Sequence, residues 1–89
     1  MKIKSIIIPE RMIRLIKQMY EQGFVTRKTQ NLYSNIQFYM VIWKLRNLKI
    51  VREDGIYKNN KKWVLTEKGK KLWHMIEILL EILDKNEVK

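Results

Sequence analysis

Phe38, Val41, Ile42, Leu45 and Leu48 recur at spacings of three and four through the middle of the chain, the period of one helical face. Ser34 or Asn35 stands in front of them as an N-cap. Ile50 and Val51 follow at once, apolar and β-branched, and predict a strand. Asn59-Asn60-Lys61-Lys62 is a polar, basic turn cluster, and Trp63-Val64-Leu65 reads as a second short strand. Thr66 then occupies an N-cap position, with Glu67 in the first turn, where the helix dipole favours a negative charge.

The flanks extend this pattern. Met1–Ile8 is apolar and β-branched, a short strand or an arm. Pro9 suits the first position of a helix that runs to Gln22 and stops at Gly23, with Met12, Ile13, Ile16, Met19 and Tyr20 as its core face. Thr26 is placed to cap a short second helix, with Leu32 and Tyr33 packing beneath the next one. Two hairpin registers are open, turning at Asp54-Gly55 or at Asn59-Asn60. We favour the second, with Ile56-Tyr57-Lys58 paired to Trp63-Val64-Leu65. Between Leu72 and Leu83 only His74, Glu77 and Glu81 are not apolar. Leu72, Met75, Leu79 and Ile82 form one stripe, and Trp73, Ile76, Leu80 and Leu83 form a second beside it. One stripe is enough for a helix that caps a small domain; the second calls for the same helix of a second copy.

The order helix, strand, basic turn, strand, helix resembles the winged helix-turn-helix DNA-binding regulators of the MarR/PadR/ArsR type, small archaeal, bacterial or viral proteins. The residues that carry the resemblance are Leu45-Arg46-Asn47-Leu48-Lys49-Ile50-Val51, at the end of the recognition helix, and Leu65-Thr66-Glu67-Lys68-Gly69, the lead-in to a dimerisation helix. With Met1–Gly23 counted as the first helical unit, it covers most of the chain. Two departures stand out. Lys49 replaces the usual glycine, and the segment between Thr26 and Ser34 is shorter than the usual second helix. The implied fold is mostly α with a small β-hairpin wing (α+β). A single domain over 1–89 would hold the helix-turn-helix and wing in 9–65 and a long C-terminal dimerisation helix in 66–86.

Charge sharpens this reading. The net charge of +10 is uneven: Gly23 to Lys49 carries five basic residues and no acidic one, while Thr66 to Lys89 carries five of each. A polyanion is the expected partner. On the helix beginning near Ser34, the face opposite the core carries Ile36, Met40, Trp43 and Asn47, flanked by Tyr39 on one side and by Gln37 and Lys44 on the other. The resemblance places the N-terminal half of this face in the major groove. Gln37 would bond adenine, Lys44 a phosphate or guanine, Ile36 and Met40 thymine methyls, and Tyr39 a phosphate. Asn35 joins these as a groove-facing residue. Arg27 and Lys28 sit where the family touches phosphates. Lys58, Asn59, Asn60, Lys61 and Lys62 would form a wing tip suited to a minor groove or its phosphates. Ile36, Met40 and Trp43 are unusually apolar for such a face, which suggests a protein contact or, for Trp43, an inward turn against the first helix or the N-terminal arm.

Other chemistry is thinly represented. With no cysteine and one histidine, disulfides, thiolate metal sites and cysteine catalysis are excluded. There are no paired carboxylates and no Gly-rich phosphate loop, so neither an enzyme nor a cofactor is expected. His74 is expected to be a charged or hydrogen-bonded surface residue. No run reaches the ~18 apolar residues of a membrane span, and the neutral last helix argues against a membrane-surface role, so a cytoplasmic protein is expected. Eighty-nine residues bury only ~60–65% of their unfolded surface. The expected partners are therefore double-stranded DNA and a second copy of the chain. The operator and any small-molecule effector are not legible.

Overall fold

Pro9 sets the start of α1 (Glu10–Gln22), not as its first helical residue but one position earlier, as N-cap. Its extended backbone leaves its carbonyl free to accept from Met12 N and Ile13 N at 3.0 and 3.1 Å. Gly23 ends the helix in the left-handed region (φ 89°), its N–H bonding to Met19 O at 2.9 Å, the backbone state glycine reaches without steric cost. The computed structural model describes residues 8–87, so the arm or strand expected over Met1–Ile8 falls, Ile8 apart, outside the described residues. Leu15, Ile16 and Met19 are the buried face of α1. Tyr20, expected in the core, is exposed, while Leu15 is buried because α1 packs on both the last helix and the second strand.

The second helix does not form. Thr26 to Thr29 make a single turn, in which Thr26 Oγ1 accepts from Lys28 N and Thr29 N, both at 3.2 Å. The buried side chain of Gln30 then replaces a helical ladder. Its amide nitrogen donates to Arg27 O and Tyr33 O, and its amide oxygen accepts from Leu32 N and Tyr33 N at 3.0 and 2.8 Å. One side chain thus satisfies four backbone groups that would otherwise need a longer helix.

α2 (Asn35–Asn47) starts at Ser34, whose hydroxyl accepts from Gln37 N while the Gln37 side chain accepts from Ser34 N, a capping box. Phe38, Ile42 and Leu45 enter the core, but Leu48 does not. The helix closes in a Schellman arrangement, with Lys49 N bonding to Arg46 O and Ile50 N to Leu45 O. Lys49 supplies the left-handed residue at φ 64°, a state that costs a side-chain-bearing residue about 1–2 kcal/mol. That reversal rotates Leu48 outward and lets Ile50 fill the core position the periodicity assigned to it.

β1 (Val51–Tyr57) and β2 (Asn60–Leu65) form an antiparallel hairpin. It turns at Lys58-Asn59, one residue earlier than the register we favoured, with φ of 49° and 67° at these two positions and Tyr57 opposite Asn60. Two consecutive positive-φ residues make the turn whose twist matches a hairpin. Arg52-Glu53-Asp54-Gly55 belongs to the strand, and a bulge at Asp54-Gly55 sits between the pairs Glu53–Trp63 and Ile56–Lys61. The segment after α1 joins the sheet through a single bridge, with Val25 N to Trp63 O and Trp63 N to Val25 O both at 2.9 Å.

α3 (Glu67–Glu87) is capped by Thr66, whose hydroxyl accepts from Gly69 N at 3.1 Å and shares its one proton between the carbonyls of Lys49 and Ile50. Gly69 is buried where this first turn meets the Ile50 carbonyl, and a Cβ there would overlap that oxygen. Among the described residues the result is three helices and one two-stranded hairpin in an α+β arrangement, consistent with a helix-turn-helix plus wing layout. Phe38, Leu15, Ile16, Met19, Ile42, Val51, Trp63, Leu65, Trp73 and Ile76 share one core. Among the described residues no helix is long and apolar enough to cross a membrane.

Candidate nucleic-acid interface

The capping box and the three buried residues of α2 fix which of its sides faces outward. Ile36, Met40 and Trp43 are 76%, 60% and 62% exposed, so Trp43 does not turn in against α1. Asn47 lies on the same face, and Asn35 is exposed at the N-terminal end. Tyr39 is exposed with its ring edge-on to Phe38. Lys44 is exposed on one flank and Arg46 on the other. Gln37 is exposed, and its amide oxygen lies 3.4 Å from Ser34 N. The carbonyl of Leu48, beyond the end of α2, is taken by Lys68 Nζ at 2.8 Å.

Arg27 and Lys28 lie in the turn that the Gln30 amide ties to Tyr33, just ahead of α2. Among the described residues no carboxylate pairs with Arg27, Lys28, Lys44, Arg46 or Lys49; the ion pairs lie on α1, the hairpin and α3. These five cations thus make no ion pair within 4 Å among the described residues. The Arg11 guanidinium lies 5.4 Å from the Tyr33 ring centre. Burial raises the Tyr33 hydroxyl above its ordinary pKa, with Arg11 opposing the shift.

The hairpin is buried at its base, at Val51, Trp63 and Leu65, and nearer its tip the Tyr57 ring packs against Phe24, 4.8 Å between ring centres. From Val51 to Tyr57 it reaches roughly 20 Å at strand spacing. Its tip is Lys58 and Asn59; Lys58 Nζ lies 5.4 Å from the Tyr57 ring centre, and the Asn60 amide donates back to Lys58 O. Lys61 and Lys62 do not surround the tip. They stand 3.9 Å from Glu53 and Asp54 respectively, and Lys62 folds over the Phe24 ring. The lysine cluster of the sequence is split by the turn shift, leaving Lys58 as the cation at the end.

No protein-family model, curated protein or solved structure matches the chain.

The two stripes of α3 divide differently from expectation. Trp73 and Ile76 belong to the core of their own chain and are not an exposed stripe. Leu79, Leu80 and Leu83 line a groove of about 1080 Å³ against Ile13 of α1. The exposed apolar row is Met75, Ile78 and Ile82, with Leu72 and Leu79 half-buried beside it. Ile78 was in neither stripe, although the same helical geometry puts it between Met75 and Ile82. His74 Nδ1 lies 3.3 Å from Glu77 and edge-on to the Tyr20 ring. Among the described residues no group of three or more His, Cys, Asp and Glu side chains is placed to hold a metal.

Proposed function

We propose that the protein is a homodimeric winged helix-turn-helix protein that binds double-stranded DNA in a sequence-specific way, acting as a transcriptional regulator. The observation that carries this reading is a set of five cations without an ion-pair partner among the described residues, Lys44 and Arg46 on the two flanks of the exposed face of α2, Lys49 just past its end, and Arg27 and Lys28 in the turn before it. Such a set suits a polyanion, and a helix of this diameter fits a major groove. Phosphate contacts set affinity and register, and a few side chains on α2 select sequence. Lys58, at the end of a hairpin about 20 Å long, is the natural reach toward neighbouring phosphates. The exposed row Met75, Ile78, Ile82 on α3 supports a twofold dimer, which favours a palindromic site.

A gel-shift series with duplex DNA at rising salt tests it. Log affinity should fall linearly with log salt, by about 0.9 per phosphate neutralised. Salt-independent binding, or none at low salt, rejects it. The exposed Ile36, Met40 and Trp43 favour a second reading, a winged-helix module that docks another protein on α2 and binds no specific sequence.

A further inference from the structure

We propose that α2 selects its DNA mainly by apolar contact of its central row with thymine methyl groups. The inference rests on the duplex-binding reading above and names what the exposed face reads.

Three observations lead to it. The outward row Ile36, Met40, Trp43 follows the spacing i, i+4, i+7, a length of roughly 10 Å along the helix, or about three base steps at 3.4 Å. The hydrogen-bonding side chains of the N-terminal half lie at the edges of the row, Tyr39 on one side and Gln37 on the other, and the Gln37 amide oxygen already lies 3.4 Å from Ser34 N. Along its central line, the half of α2 that would sit deepest in a groove presents carbon and sulfur. Lys44 and Arg46 flank the row, with no carboxylate between Gly23 and Arg52.

A partner must satisfy both chemistries, a dense negative charge and a narrow line of apolar groups within it. Duplex DNA offers this in its major groove, where the thymine C5-methyl is the apolar feature among the base edges. An anionic lipid surface also combines charge with apolar atoms. It takes up a helix along a broad apolar face, whereas here the row is one residue wide, with Lys44 on one flank and Arg46 on the other.

The test compares alternating dA-dT and dA-dU duplexes at one salt concentration. Replacing thymine by uracil removes the methyls and leaves the charge and the pairing edges unchanged. The full-length protein should bind the thymine duplex more tightly, by about fourfold for each methyl contacted. In Met40→Gln, an exposed change, the thymine-to-uracil ratio should fall toward one. In Lys71→Ala, on α3, it should match the wild type. Equal affinity of the wild type for the two duplexes overturns the inference and leaves duplex binding standing. Failure to bind either duplex at low salt overturns the duplex reading and this inference with it. Emission of exposed Trp43, isolated by comparison with Trp43→Phe, should shift on adding the thymine duplex. A shift with phosphatidylserine vesicles and none with duplex overturns the inference in favour of a lipid surface.

Discussion

Gly69→Ala should destabilise the protein, although the same change in an ordinary helix stabilises it. Removing glycine from a helix interior is worth about 0.5–1 kcal/mol in favour of alanine. Here the added methyl would overlap the Ile50 carbonyl oxygen and stand 3.1 Å from Leu65 Cδ2 and 3.2 Å from the Ile50 carbonyl carbon. None of these is the free end of a flexible side chain on the surface. The Ile50 carbonyl accepts from Thr66 N and from the Thr66 hydroxyl, at 3.0 and 3.2 Å, so moving it disturbs the cap of α3 as well. Overpacking of this kind costs about 1–3 kcal/mol, and each weakened hydrogen bond about 1 kcal/mol. Set against the propensity gain, the net loss is about 2–4 kcal/mol. A domain of this size has roughly 4–13 kcal/mol in all, and the loss corresponds to a fall in Tm of about 10–25 °C. Urea and thermal unfolding followed by far-ultraviolet circular dichroism, with exposed Lys71→Ala as control, would measure it. A Gly69→Ala protein as stable as the wild type, or more so, would show that α3 can draw away from Ile50 at little cost, and would refute the close-approach argument.

Lys49→Gly should raise stability by about 1 kcal/mol, because the residue already holds φ 64° and glycine removes that strain; an unchanged urea midpoint would count against it. Burial raises Tyr33 above its ordinary value of 10.0, so its contribution is complete below pH 10 and is lost as pH rises through the folded-state value. Wild type should therefore lose stability relative to Tyr33→Phe only in strongly alkaline solution, and a gap that opens near neutrality would contradict this. Ile82→Asp should yield a folded monomer in sedimentation equilibrium, because Ile82 is half-exposed in a single chain, while Ile76→Asp, at a buried position, should unfold the chain; a monomeric wild type at micromolar concentration would remove the dimer.

The elements that announce themselves by period were legible. The α2 face, the Thr66 cap, the Gly23 stop and a hairpin before the last helix all follow from local patterns. What the sequence concealed depends on contacts between distant residues or on single backbone states. Gln30 looks like one more polar loop residue until its amide is seen bonding to four backbone groups. Leu48 satisfies the helical period but falls at the C-cap, where Lys49 turns it outward. The hairpin turns at Lys58-Asn59 and not at Asn59-Asn60 because the base pairs Val51 with Leu65 and the Asp54-Gly55 bulge then advances the register by only one residue. For the interface, the outward position of Trp43 was present in the wheel, and its hydrophobicity wrongly argued for burial. The Ser34-x-x-Gln37 spacing carries a capping-box pattern, and the structure forms it.

The bridge between Val25 and Trp63 bears on the order in which the chain can assemble. The Lys58-Asn59 hairpin joins residues that are neighbours in sequence, and α2 and α3 each carry their own caps, so these parts are able to form early and independently. Joining Val25 to Trp63 closes a loop of nearly 40 residues, at an entropic cost of about 3 kcal/mol. Against this stand one pair of backbone hydrogen bonds, at 2.9 Å each, and the burial of Val25. Attachment of α1 is therefore expected to come late, after the hairpin has offered an edge to receive it. Changes near the Lys58-Asn59 turn should then alter the refolding rate, and changes at Val25 chiefly the rate of unfolding.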